Sequence, residues 1–259
     1  LVFWLFSRDL DVAFNFLKEK FVKKPGLAEA NIKVIQAGYD YGQNTHSSAV
    51  NVYRIESKVK EPGRYMDITG NKATAYGFIA AAEKAGLKLY LGSYPITPAT
   101  DVLHELSKHK SLGVTTVQCE DEIAGCASSV GASFAGALAI TSTSGPGICL
   151  KSEAMNLAVI MELPLVVLDV QRGGPATGLP TKSEQTDLLQ VLFGRNGESP
   201  MPVLAATSPT DCFDAAYTAC KIALEHMTPV VLLTDAYVAN GSGAFKLPDL
   251  ASYSEINPP

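Results

Sequence analysis

The sequence predicts an α/β fold, a parallel sheet with helices on both faces, preceded by a small helical fragment. Three observations carry this. From residue 69 onward, apolar runs of strand length alternate strictly with helical segments, and such alternation implies parallel strands covered on both sides. The connecting turns carry helix-start residues, with Thr69 placed as an N-cap and Thr97-Pro98 as a cap followed by a first-turn proline. The composition, 47% hydrophobic and 18% charged over 259 residues, is that of a globular chain long enough to bury one large core.

In order along the chain, Leu10, Phe14, Leu17 and Phe21 fall at helical spacing until Pro25-Gly26 stops the pattern. A second helix is read over 27–39, with Ala30, Val34 and Ile35 inward and Gly38 near its end. Residues 41–67 are polar and aperiodic and read as a linker with a short strand at 52–55. Candidate strands follow at 88–92, 114–118, 137–141, 165–170, 203–206 and 230–234. Helices are read over 70–85, 98–109, 122–135, 149–161 and 209–226. The expected organisation is therefore a helical fragment over 1–40, the linker, an α/β domain over 68–240, and a second linker over 241–259 leading into a further domain. Leu at position 1 predicts that this chain is a piece of a longer one.

Composition excludes several classes of function. With 21 basic and 26 acidic residues the net charge is −5, so no basic surplus exists to bind nucleic acid. The charged fraction is below the roughly 25% usual for soluble domains, which points to a subunit interface. Five cysteines without a C-x-x-C pair fit a cytoplasmic protein rather than a disulfide scaffold. The apolar opening residues 1–6 are too short for a targeting segment, and no run approaches a membrane span.

Ligands of parallel α/β folds sit at strand carboxyl ends, and four loops lie there. The first, Tyr94-Pro-Ile-Thr-Pro98, is stiffened by two prolines; a capped turn explains it as well as a ligand contact through Thr97. Glu120-Asp121-Glu122 opens a helix with a small-residue face. Helix-dipole complementarity accounts for Glu120 and Asp121, whereas a carboxyl at Glu122, desolvated beside that face, suits proton relay. The turn Thr141-Ser-Thr-Ser-Gly-Pro-Gly147 resembles a phosphate cradle but has Leu150 where both phosphate motifs need Gly. On the longest loop, Gln171-Arg-Gly-Gly-Pro-Ala-Thr-Gly-Leu-Pro-Thr181, Arg172 at a strand mouth suits a substrate carboxylate. His46, His104, His109 and His226 are scattered without metal-ligand spacing, so no metal site is expected in this chain.

These four motifs, in this order, resemble the α subunit of 2-oxoacid:ferredoxin oxidoreductases over about residues 66–240. The resemblance implies the pyrimidine-binding domain of a thiamine-diphosphate enzyme, with residues 1–40 similar to the end of a γ domain fused ahead of it. It matches Glu122 to the glutamate that touches N1′ of the cofactor's aminopyrimidine, which favours the tautomer able to take the thiazolium C2 proton. It matches Tyr94, Pro95, Ile96 and Thr97 to the cofactor loop, and Thr97, Arg172 and Thr181 to contacts with the oxoacid. Ala176 stands where the family's run has Ser. The chain has no Gly-Asp-Gly motif and no cysteine set for a cluster. The resemblance therefore implies a β subunit supplying Mg²⁺, the diphosphate site and a [4Fe-4S] cluster, in a hetero-oligomer of paired α–β units that uses coenzyme A and ferredoxin. Fused γ–α chains most resemble the 2-oxoglutarate-using members. Arg195 is open to two readings, a contact to a second carboxylate or, more simply, an exposed loop arginine. Two rival functions stand beside this one, a nucleotide-phosphate-binding module and a non-catalytic structural subunit.

Overall fold

The computed structural model describes residues 1–45, 53–54 and 61–259. The strand expected at 52–55 lies outside the described residues, apart from Tyr53 and Arg54, which have no regular structure. The chain divides into two compact units, Leu1–Glu61 and Pro62–Pro259.

The first unit holds three helices, α1 (Val2–Leu5), α2 (Leu10–Lys20) and α3 (Pro25–Thr45). Asp9 caps α2 by accepting from the Asp11 N–H at 2.9 Å. Helix α3 runs six residues beyond its expected end because Gly38 and Gly42 serve packing and do not stop it. A Cβ at Gly42 would lie 2.7 Å from the Trp4 ring, and one at Gly38 would lie 2.9 Å from the Leu1 nitrogen. That contact sets the inward face as Ala28, Ile32, Ile35, Tyr39 and Gly42, leaving Ala30 and Val34, the expected inner positions, exposed.

In the second unit the six expected strands form one parallel sheet. They are β2 (Leu89–Ser93), β3 (Val114–Gln118), β4 (Leu138–Thr143), β5 (Leu165–Gln171), β6 (Val203–Ala205) and β7 (Pro229–Asp235), in the order β3-β2-β4-β5-β7-β6. Before them, β1 (Tyr65–Thr69) pairs antiparallel with β8 (Ser242–Lys246), outside the main sheet. Helices α4 (Gly70–Ala85), α5 (Thr100–Leu106), α6 (Glu122–Phe134), α7 (Pro146–Leu150), α8 (Ser152–Ile160), α9 (Leu188–Phe193), α10 (Asp211–His226) and α11 (Ala236–Asn240) complete the unit.

Every residue of β4, β5 and β7 is buried. Because side chains alternate along a strand, Val166, Leu168, Val170, Val230 and Leu232 face one core with α4 and α10, while Leu165, Val167, Val231 and Leu233 face the other beside α6 and α8. Strands covered on both faces read as continuous apolar runs, which is why they were visible in the sequence. Thr69 caps α4 as expected, accepting from Lys72 N–H. Thr97 does not cap α5. The helix starts at Thr100, whose hydroxyl accepts from Ile96 N–H at 2.8 Å and donates to its carbonyl at 2.9 Å, closing a turn over 97–99 first.

Residues 241–259, read as a linker, pack on this unit. Phe245 and Ile256 are buried in the first core, and the Tyr217 hydroxyl donates to the Ser254 carbonyl at 2.6 Å.

Helices α4 and α10 meet across Gly77, where a Cβ would lie 2.4 Å from the Phe213 carbonyl oxygen and 2.8 Å from Ala216 Cβ. Replacing a helical glycine normally stabilises by up to about 1 kcal/mol, but overpacking against rigid backbone costs about 1–3 kcal/mol. Gly77→Val is therefore expected to lower the unfolding free energy by about 2 kcal/mol in urea titration, and an unchanged or raised midpoint would contradict this packing.

Candidate active site

All six strands run the same way, so the loops after β2, β3, β4 and β5 emerge at one edge of adjacent strands. The chain passes from β2 outward to β3, then returns across β2 to β4, which puts the reversal of strand order between β2 and β4. Crevices form at such reversals.

Three side chains converge there. Tyr94, just past β2, is buried, and its hydroxyl lies 2.8 Å from Thr143 Oγ1 at the end of β4. Glu122 is the first residue of α6, and its carboxyl is the phenol's other polar neighbour. Both rest on Gly147, where a Cβ would fall 2.1 Å from Thr143 Oγ1, 2.3 Å from the Tyr94 hydroxyl and 2.9 Å from Glu122 Cγ. Burial foremost, and then the Glu122 carboxylate, push the Tyr94 phenol above its ordinary range, so it stays a neutral hydrogen-bonding group. Asp121 is the N-cap, accepting from Ala124 N–H at 2.8 Å. Its neighbour Glu122 is thus spared capping duty and is half-buried.

The small-residue helix α6 serves two surfaces. Its inner side lies against β2, where a Cβ on Gly92 would meet the Gly125 carbonyl and Ser128 Oγ at 2.4 Å. Its outer side exposes Ile123, Ala124, Ala127, Gly131 and Phe134 in one stripe. The Thr141–Gly147 turn is not a phosphate cradle. Ser142 Oγ meets Ser93 Oγ at 2.6 Å and Thr143 Oγ1 meets Tyr94, so both hydroxyls point into the protein.

Arg172 is 4% exposed at the mouth of β5. Its two terminal nitrogens donate to the carbonyls of Thr97 and Thr177, each at 2.7 Å, and its Nε–H has no partner. The guanidinium therefore ties the first and fourth loops together and keeps spare donors. It lines a cleft of about 720 Å³ with Gly145, Cys149, Thr177, Glu184 and Asp187. Gln171 holds the far end of the loop, donating to the Thr234 carbonyl at 3.2 Å and accepting from Asp187 N–H at 3.0 Å. Thr97 is exposed and meets Arg172 through its backbone carbonyl; Pro95 is exposed and Ile96 half-buried beside it. Thr181 is exposed and lies outside the lining of the cleft. Arg195 donates to the Val191 carbonyl and to Ser199 Oγ and carbonyl oxygen. It ties its own loop together.

Sequence reasoning missed two buried ionisable groups here. Lys151, between α7 and α8, is fully buried with its ammonium beside Glu122 and Tyr94. Asp169, on β5, is fully buried against Asp187. Burial, and then the Asp187 charge, push its carboxyl well above the ordinary range. A polar residue inside an otherwise apolar strand run was the available signal for Asp169. A lysine directly after the glycine turn was the signal for Lys151. Among the described residues no group of histidine, cysteine or acidic side chains is arranged to hold a metal ion, and no helix is long and apolar enough to cross a membrane.

Residues 80–258 match the family model for pyruvate flavodoxin/ferredoxin oxidoreductase, thiamine diphosphate-binding, and the chain belongs to this family. It is 55% identical over 256 residues to the 2-oxoglutarate oxidoreductase subunit KorA of Mycobacterium tuberculosis, covering 99% of this chain and 39% of that one. It is 41% identical over 184 residues to the 2-oxoglutarate synthase subunit KorA of Archaeoglobus fulgidus, covering 71% and 52%. Among solved structures it superposes on the 2-oxoglutarate:ferredoxin oxidoreductase from Magnetococcus marinus with 2-oxoglutarate, coenzyme A and succinyl-CoA bound, with TM-score 0.85 and 35% identity, covering 99% of this chain and 44% of that chain. The chain spans about half the length, or less, of these relatives.

The raised Asp169 carboxyl sets a pH dependence. The folded state binds a proton there more tightly than the unfolded chain, whose Asp titrates at about pH 4. The contribution is therefore complete below about pH 4 and is lost as pH rises toward the folded value. Asp169→Asn, which has nearly the same shape and does not ionise, should gain stability over the parent as the buffer moves from about pH 4 to pH 8 in thermal unfolding. A difference independent of pH would show that Asp169 carries no extra proton.

Proposed function

We propose that this chain is the part of an α subunit, fused behind a γ-type domain of which residues 1–40 are the C-terminal helices, that faces thiamine diphosphate and substrate in a 2-oxoacid:ferredoxin oxidoreductase. The observation that carries the reading is Glu122, a first-turn carboxylate left free by its neighbour's capping and held over Gly147 by Tyr94. The residues fit the group. An aminopyrimidine needs one carboxylate at N1′ and a flat, uncrowded approach. Glu122 is half-open beside the exposed small residues Ala124 and Ala127, and a Cβ at Gly131 would meet nothing within 4 Å.

When bound, thiamine diphosphate supplies the carbon nucleophile and electron sink that decarboxylation of a 2-oxoacid requires. Glu122 holds a hydrogen bond at N1′ and trades a proton there. Tyr94, kept neutral by burial, braces that carboxyl without competing for its charge. The loop over 94–97 lines the cofactor side of the crevice. Arg172 keeps its unpartnered Nε–H and the second hydrogens of its terminal nitrogens for the oxoacid's C1 carboxylate, a charge-assisted contact. Thr97 borders that contact through the carbonyl that receives Arg172, whereas Thr181 lies outside the lining of the cleft.

The oxoacid is 2-oxoglutarate and the acyl acceptor coenzyme A; the names of the relatives, and the ligands named for the Magnetococcus marinus structure, support both. A β subunit brings Mg²⁺, the diphosphate site and a [4Fe-4S] cluster that hands electrons to ferredoxin, in paired α–β units. Exposed apolar side chains around the site support such a partner: Ile123, Leu150, Leu157 and Ile160 on α6 to α8, and Leu189 and Phe193 on α9. Five free cysteines support a cytoplasmic location.

In the assembled complex, Glu122→Gln is expected to cut oxoacid-dependent electron transfer by at least about 10²-fold, the usual worth of a general acid–base group, while leaving subunit assembly intact on gel filtration. Retained turnover in an intact complex would overturn the assignment.

A further inference from the structure

Lys151 is the buried charge that the chemistry above leaves unused. It has no solvent exposure, and among the described residues no carboxylate lies within ion-pair distance of it. Its ammonium instead meets three acceptors of other kinds. It donates to the Glu122 carbonyl at 3.1 Å and to Thr141 Oγ1 at 2.8 Å, and it lies 5.3 Å from the centroid of the Tyr94 ring. Three N–H donors are thus matched by a helix-start carbonyl, a strand hydroxyl and an aromatic face. Burying an ammonium is expensive, and a methionine would fill the space without that penalty. Two of the three groups it touches bear directly on Glu122, its own carbonyl and the ring whose hydroxyl reaches its carboxyl, and the third, Thr141, is the β4 residue that registers with Gly92 of β2.

We propose that Lys151 is a positioning residue for Glu122, a solvent-sealed cation that ties the first turn of α6 to β4 and so fixes where the Glu122 carboxyl meets the aminopyrimidine. This rests on the reading of Glu122 given above. The ionisable groups facing Lys151 are Glu122, Asp121 and Cys126 of α6, Cys119 after β3, Tyr94 after β2 and Asp169 of β5. Burial pulls the ammonium below the ordinary lysine range, and the thiols and carboxylates around it oppose that. The turn before it resembled a phosphate loop in sequence. Its lysine is turned inward, onto the protein's own polar groups.

The test uses the assembled complex with thiamine diphosphate and Mg²⁺, and compares the parent with Lys151→Met, Lys151→Gln and Glu122→Gln. Two quantities are read: the dissociation constant for thiamine diphosphate, and the rate of deuterium exchange at C2 of the cofactor at saturation. Lys151→Met should weaken binding and slow exchange by about 10-fold or more, and Lys151→Gln, which keeps an N–H donor for the Glu122 carbonyl and Thr141 Oγ1, should exchange at a rate between Lys151→Met and the parent. Exchange at the parental rate in both variants overturns the proposal. So does an equal loss in the two, which assigns Lys151 to packing alone. If methionine at 151 prevents assembly, the glutamine variant is compared with the parent, and exchange at the parental rate overturns the proposal. Parental exchange in Glu122→Gln overturns the reading of Glu122 itself, whatever the Lys151 variants do.

Discussion

The site depends on one missing atom. Position 147 has no Cβ, and the space that a side chain would take holds Thr143 Oγ1, the Tyr94 hydroxyl and Glu122 Cγ. Those atoms come from three different elements, so their meeting requires that β2, β4 and the start of α6 be fixed to within a fraction of an ångström. Parallel pairing of Gly92 with Thr141 sets β2 against β4. The glycine at 92 lets α6 lie directly on β2, where the Ser129 hydroxyl accepts from Gly92 N–H at 3.2 Å and donates to the Ile140 carbonyl at 2.8 Å. Two glycines and a few buried hydroxyls thereby turn an ordinary parallel sheet into a rigid seat for one carboxylate.

Neighbouring residues of like chemistry are used for different ends. Asp121 is spent on capping α6 and Glu120 faces solvent, which leaves Glu122 available. Along the turn after β4, Ser142 and Thr143 bond inward to the loop after β2, so that a segment resembling a phosphate loop works as a brace. Arg172 joins the loops after β2 and β5, and its buried Nε–H has no partner among the described residues. Held charges of this kind are costly to bury, and here they cluster at one strand edge, which is the usual mark of a functional site.

The sheet was legible because β4, β5 and β7 are buried on both faces and therefore read as unbroken apolar runs. The pair β1 and β8 was not, since it lies outside the main sheet and β8 carries a serine, a glycine and a lysine within five positions. Short helices α9 and α11 were missed for want of enough turns to show a period. On α3 the periodicity was present but its phase was misread, because the inward face was chosen by Trp4 packing on Gly42, a tertiary contact no local pattern reports. At the site, Glu122, Tyr94 and Arg172 stood out by their place at strand ends. Lys151 and Asp169 did not, because a lysine at a helix start and an acid in a strand gain meaning only from neighbours distant in sequence. The Thr-Pro pair reads as a cap followed by a first-turn proline, but α5 begins at Thr100, and Thr97 meets Arg172 through its carbonyl.

The most direct test of the account is to purify the full-length parent of this chain with its partner subunit, supply thiamine diphosphate, and measure coenzyme-A-dependent reduction of a low-potential dye across a panel of 2-oxoacids. Reduction with 2-oxoglutarate, well above that with the monocarboxylic 2-oxoacids, is the predicted result. A complex that contains its iron–sulfur partner and reduces the dye with none of the acids would contradict the account and leave this fold a structural subunit.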